Sequence, residues 1–194
     1  MEPELNPSVA VTAIPLEDDG VFPNNPVLPT LLYHGALNLH GVEDPALFLL
    51  HIFSRNGWSN GWQNGIYPYH HYHSTAHEVL GCHRGRARVR LGGSEGPAVV
   101  FERGDVLIIP AGVSHQRLEA SSDFAVVGAY ADGNDYDMNR GTPGERPRAD
   151  ENIAALAVPR SDPAFGTAGP LTIQWSLQLQ TVSADRASTP ESAR

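Results

Sequence analysis

A single cysteine, Cys82, rules out any intrachain disulfide in this chain of 194 residues. Positive charge is scarce as well: 13 Lys and Arg stand against 22 Asp and Glu, a formal net charge of -9. A nucleic-acid partner needs a basic face that displaces counterions, and no stretch supplies one. An anionic membrane surface is disfavoured for the same reason. Long apolar runs are missing. The longest, ALFLL at 46–50, is far short of the roughly 20 residues that span a bilayer. The opening MEPELNPSVA has neither the basic nor the apolar region of a signal peptide. A soluble, cytosolic protein is the expectation.

What is present points to β structure. Hydrophobic residues make up 41% of the chain, enough for one domain with a core. With 19 Gly and 16 Pro, short strands joined by turns are favoured over long helices. Residues 8–14 suit an edge strand, and proline-broken extended chain follows. Asp44-Pro45 at one end and Asn56-Gly57 at the other frame one substantial helix over 45–55. From Gly65 the pattern predicts strands at 66–73, 78–84, 87–91, 98–102, 105–109, 115–119 and 124–130, with glycine-rich punctuation between them. VLIIP is apolar throughout, as in a strand buried on both faces. Beyond residue 131 the signal fades into polar loop, with a short helix near 151–157 and extended chain over 161–175. The organisation expected is one domain over 1–176, made of an N-terminal arm (1–64), a barrel (65–131) and an extension (132–176). A disordered tail is expected at 177–194.

The stretch GIYPYHHYHSTAHEVLGCHRG at 65–85 carries five histidines and one glutamate. Strand parity puts His71 and His73 on one face beside Tyr67 and Tyr69, with His70 pointing away. An antiparallel return brings Glu78 opposite the two imidazoles. Two neutral nitrogens and a carboxylate on one wall suit a borderline divalent metal. His-x-His alone also occurs among ordinary surface and core histidines.

A second segment changes the weight of the first. GDVLIIPAGVSH places Gly104, Pro110-x-Gly112 and His115 at fixed offsets, as the first segment does for Gly65, His71-x-His73, Glu78 and Gly85. Together these resemble the two motifs of the cupin superfamily, in order and with matching spacing. HYHSTAHEVLG, RLGG, PAGVSHQRLEAS and VVGAY resemble the YjlB-like cupins more closely. The resemblance implies an all-β fold, a double-stranded β-helix or small jelly-roll barrel, with one divalent Fe, Mn, Ni or Zn held by His71, His73, Glu78 and His115. It also implies a homodimer formed by pairing sheet edges.

Two departures stand out. Glu119 occupies a position where the family commonly has Asn; pointing inward, it would supply a charge or a base. His77 precedes Glu78 and stands as an alternative ligand or as a hydrogen-bond partner to one. His70 and His83 are expected on the outward face, and Cys82 is expected to be a buried, inert thiol. Trp58 and Trp62 suit either core packing or a pocket wall. Asp135 and Asp137 read as solvated loop, with a rim role as the alternative. The function expected is a metalloenzyme acting on a small oxygenated organic acid by oxygenation or isomerisation, with Glu119 or a metal-bound hydroxide as base and Tyr67 or Tyr69 donating to substrate. The alternatives are a small-molecule binding or sensing module and a storage protein.

Overall fold

The Asp44 carboxylate accepts the Leu47 N–H at 3.0 Å, Pro45 fills the first turn, and Gly57 follows at φ +83°. These local devices make helix α1 (Pro45–Arg55). The computed structural model describes residues 4–6 and 8–188. Eleven strands run through them: β1 (Glu4–Leu5), β2 (Ala10–Leu16), β3 (Asn25–His34), β4 (Leu37–Asn38), β5 (Trp58–Asn64), β6 (Glu78–Arg84), β7 (Arg86–Leu91), β8 (Ala98–Glu102), β9 (Val106–Ile109), β10 (His115–Ala120) and β11 (Ala125–Ala131). Two further helices follow, α2 (Arg148–Ala155) and α3 (Pro170–Ser188).

Every pairing is antiparallel. A six-stranded sheet runs β2-β3-β9-β6-β11-β5, and a three-stranded sheet runs β10-β7-β8. The all-β jelly-roll expectation holds. The central strands of the larger sheet, β3, β9, β6 and β11, are buried on both faces, and they divide their side chains by parity. Leu32, Leu80, Leu107 and Val126 pack with Val89, Leu91 and Phe101 of the smaller sheet, inside the barrel. Leu31, Val79, Ile108 and Val127 pack outward against Leu49 and Phe53 of α1 and Leu171 and Trp175 of α3. VLII of β9 is fully buried because it serves both cores.

Three expectations need correction, and β5 adds a strand where none is expected. The segment 66–73 is not a ladder strand; it makes only isolated bridges, His71 with His115 and Tyr72 with Asn139. Residues 25–34, read as loose extended chain, form the second strand of the main sheet; Pro26 and Pro29 sit where its pairing with β2 is irregular. WSNGWQN is β5, an edge strand whose exposed face takes polar residues. Residues 170–188 are helical rather than extended or disordered. The last residues of the expected tail, 189–194, lie outside the described residues.

Candidate metal centre

Two segments meet at one end of the barrel. His71 N–H donates to the His115 carbonyl at 3.2 Å, and His115 N–H donates back at 2.9 Å. Gly112 N–H donates to the His73 carbonyl at 2.8 Å. Gly112 has φ +94°, and a Cβ there would collide with the Asn24 carbonyl, so the turn that delivers His115 needs glycine. Glu78 opens β6, the strand held between β9 and β11. Its parity with Leu80 points it into the barrel.

One potential ligand nitrogen from each of His71, His73 and His115 lies within 4.8 Å of the others, and all three residues are buried. Glu78 Oε1 is 3.6 Å from His73 Nε2 and Oε2 is 3.3 Å from His115 Nε2. The Nδ1 of each ring lies against a backbone carbonyl: His71 on Tyr69 at 3.2 Å, His73 on Asp137 at 2.6 Å, His115 on Val113 at 3.3 Å. An Nδ1–H donated to a carbonyl leaves Nε2 as the free lone pair, the tautomer a metal ligand needs.

Burial and one buried carboxylate set the electrostatics of the cluster. Burial, helped by neighbouring His115, pushes the His71 imidazole down to about 3, so it is neutral at ordinary pH. Burial opposes charge on both His73 and Glu78, yet each stabilises the other. His73 is held above its ordinary value and Glu78 well below the usual carboxylate range. Glu78 Oε2 is buried and accepts no hydrogen bond. A buried carboxylate oxygen left without a donor calls for another partner.

The cavity over this cluster has a volume of about 170 Å³. Trp62, Tyr67, Tyr130, Tyr136 and Met138 wall it above the polar floor. Trp62 Nε1–H donates to Tyr130 Oη at 2.9 Å. Gly128 makes that possible, because a Cβ there would overlap the Trp62 ring. Tyr130 stacks on Tyr136 with centroids 4.6 Å apart. Burial, then the Glu78 charge, raise the Tyr130 pKa and keep its hydroxyl protonated.

Comparison with known proteins places this architecture. A cupin family model matches residues 36–138. A Bacillus subtilis (strain 168) relative, the uncharacterized protein YjlB, is 44% identical over 158 residues, covering 81% of this chain and 92% of the relative. The chain belongs to the cupin family. Among solved structures, similarity extends to the epimerase RmlC of Legionella pneumophila at 11% identity and TM-score 0.36, over 66% of this chain and 74% of that one. It also extends to an 11S allergen of Cocos nucifera at 22% identity and TM-score 0.35, over 50% of this chain. This cupin spans 32% of that allergen's chain.

The structure brings His71, His73, Glu78 and His115 together and separates the other candidates. Glu119 does not enter the cupin cavity. A bulge in the β10–β7 pairing between Arg117 and Glu119 resets the alternation and sets Glu119 opposite Arg88. Its exposed carboxylate accepts from Arg88 Nη1 at 2.8 Å on the outer face. His77 is turned away from the cluster. It shares the parity of Val79, so its ring faces Trp175 of α3 at 5.2 Å, and its Nδ1 accepts the Ala111 N–H at 3.0 Å. Tyr67 lines the cavity, its ring 5.2 Å from that of His71. The Tyr69 ring lies outside the lining, stacked on Tyr67 at 4.9 Å and covered by Arg140 at 4.0 Å. Its contribution is the carbonyl that holds His71.

His70 bonds Ser114 Oγ at 3.0 Å, and His83 bonds Gln63 at 3.3 Å; both stand apart from the cluster. His83 is buried rather than exposed. Burial pushes the Cys82 thiol up to about 12, an inert side chain as expected. Trp58 is core, with Nε1 bonded to the Ser161 carbonyl. Sequence reasoning missed Tyr130, Tyr136 and Met138 as walls, and gave Asp137 too little. Its carboxylate accepts from the Ser74 N–H at 2.6 Å and from the Ser74 hydroxyl, and its carbonyl holds His73. Asp135 stays at the surface, its carbonyl accepting from Thr75 at 2.9 Å. The parity of Tyr130, paired directly with Glu78, was the available signal for that residue.

Proposed function

We propose that this cupin is a metal-dependent enzyme that holds one divalent Fe, Mn, Ni or Zn on His71, His73, Glu78 and His115 and acts on a small oxygenated organic acid. The observation that carries the reading is the set of three Nδ1–carbonyl contacts on three clustered imidazoles, with the Nε2 atoms of His73 and His115 beside one buried carboxylate. Three imidazoles and one carboxylate suit borderline divalent ions. The unpartnered Glu78 Oε2 fits the same role. A bound ion of this kind supplies Lewis-acid polarisation of a substrate oxygen or, if redox-active, electron exchange.

The chain's own residues do the rest. Tyr130 keeps its proton and is fixed by Trp62, which makes it a positioned donor beside Glu78. Tyr67 and Tyr136 shield the floor from water. With Glu119 on the outside, Glu78 is the only carboxylate among the described lining residues. A proton-transfer isomerisation therefore finds no carboxylate base among the described lining residues beyond the proposed ligand Glu78. A non-catalytic binding module shares the site and differs only in turnover.

Metal analysis of protein purified without chelator tests the proposal, with about one transition metal per chain expected. Oxygen uptake by the Fe(II) form with small diketones, thiols and phenols then separates enzyme from binder. Protein that is metal-free and cannot be reconstituted overturns the metal reading. A cytosolic homodimer completes the proposal. No described helix is long and apolar enough to cross a membrane, and β2 ends the main sheet with a free edge among the described strands. Sedimentation as a clean monomer at micromolar concentration removes the dimer.

A further inference from the structure

We infer that the ligand of this cavity is a flat, compact phenol- or enol-type molecule bearing at most one negative charge, its oxygen at the histidine floor and its ring against the tyrosine rim. The inference rests on the metal reading above for the floor and on separate observations for the walls.

Size sets the first limit. The cavity over the floor is about 170 Å³, below the roughly 300–1,000 Å³ of pockets that take drug-sized ligands, so a compact molecule fits it best. Charge sets the second. The chain carries 13 arginines and no lysine, and among the described residues no arginine lines the cavity. Arg140 is not among the lining residues and stacks its guanidinium on the Tyr69 ring at 4.0 Å. A phosphate or a second carboxylate would find no cation to meet it away from the floor, and burying such a group unpaired is costly. Three neutral imidazoles, one carboxylate and a divalent ion sum to a single positive charge, which one ligand oxygen balances.

Shape sets the third. Tyr67, Tyr136 and Met138 are 47%, 45% and 41% exposed, and all three stand at the mouth of the same cavity. Exposed large apolar side chains gathered at one opening mark a contact surface. The Tyr136 ring lies 4.9 Å from His73 and is stacked on Tyr130, while Tyr67 meets His71 edge-on at 5.2 Å. Tyrosine faces and a thioether above an imidazole floor favour a planar, polarisable body.

The test uses the full zinc-loaded chain, titrated calorimetrically with 4-nitrophenol, glycerol 3-phosphate as a dianion of similar size, azide as a probe of the floor alone, and tetramethylammonium. We expect 4-nitrophenol to bind at least about tenfold more tightly than glycerol 3-phosphate. Tyr136→Ala should weaken 4-nitrophenol about tenfold and leave azide unchanged. Equal or tighter binding of the dianion overturns the inference, as does Tyr136→Ala without effect on 4-nitrophenol. Tetramethylammonium outbinding 4-nitrophenol also overturns it, since the rings would then form a cation cage. Failure to take up zinc defeats the metal reading instead. The preference for 4-nitrophenol over the dianion must then appear in the metal-free protein, and its absence there defeats the wall assignment too.

Discussion

The two faces of β6 at its first turn into the barrel carry neighbouring residues with opposite fates. Glu78 faces inward, against three imidazoles whose Nδ1 atoms are all occupied by backbone carbonyls. His77 faces outward, with Nδ1 occupied by a backbone N–H and its ring against Trp175. Burial lowers the His77 pKa to about 4, so it too is neutral. The difference lies in what touches Nδ1. An acceptor there frees Nε2 to bind a cation; a donor there puts the proton on Nε2 and makes the ring a brace for the loop that carries His115.

Breaking the inner face should have the largest effect. His73→Ala, His115→Ala or Glu78→Ala should take the metal content of purified protein from about one per chain to near zero, read by mass spectrometry of the metal. His77→Leu should keep the metal. It should instead lower stability by about 1–3 kcal/mol in urea unfolding, because the Ala111 N–H is left buried without an acceptor. His77→Asn, which can present a carbonyl oxygen at the Nδ1 position, should recover part of that loss. If His77→Leu strips the metal and Glu78→Ala retains it, the two faces have been assigned the wrong way round.

Asp137→Ala sharpens the comparison at one remove. The carboxylate ties residues 74 and 75 to the loop whose carbonyl orients His73. Its removal should weaken zinc binding about tenfold, the lower end for a residue that supports a ligand. The smallest effect belongs to Glu119→Ala. Its pair with Arg88 is solvent-exposed, so stability should change by less than about 0.5 kcal/mol. Metal content and oxygen uptake should be unaltered; a fall in turnover at constant metal content would return Glu119 to the cavity.

The strands from β6 to β11 and the helix α1 were legible because their signals are local. Asp44, Pro45 and Gly57 announce the helix, and alternation announces strands such as RARVRL. The four ligand candidates were legible because two spaced segments carry them, and parity together with the cupin spacing favours Glu78 over His77. What failed depended on partners distant in sequence. LTIQWSLQLQ alternates with a period of two and reads as extended, yet it is helical. Leu171 and Trp175, four apart, are the buried pair, while Ile173, Leu177 and Leu179 stay exposed. The helix start is fixed by Asp162, which accepts the Leu171 N–H from nine residues away. Glu119 was misplaced because a bulge is invisible to a parity count. The cavity walls at Tyr136 and Met138 come from a loop with no periodicity at all.

Glu78 sits on a strand flanked by two others, β9 and β11, that lie later in the chain, and Asp137, which holds His73, is later still. During synthesis the first histidines therefore emerge long before the residues that orient them. No competent donor set exists until the chain beyond residue 137 is free to fold. On the proposed metal reading the ion would thus be chosen by the finished barrel from whatever its surroundings offer, so the compartment of folding, as much as the four side chains, would decide which metal is taken up.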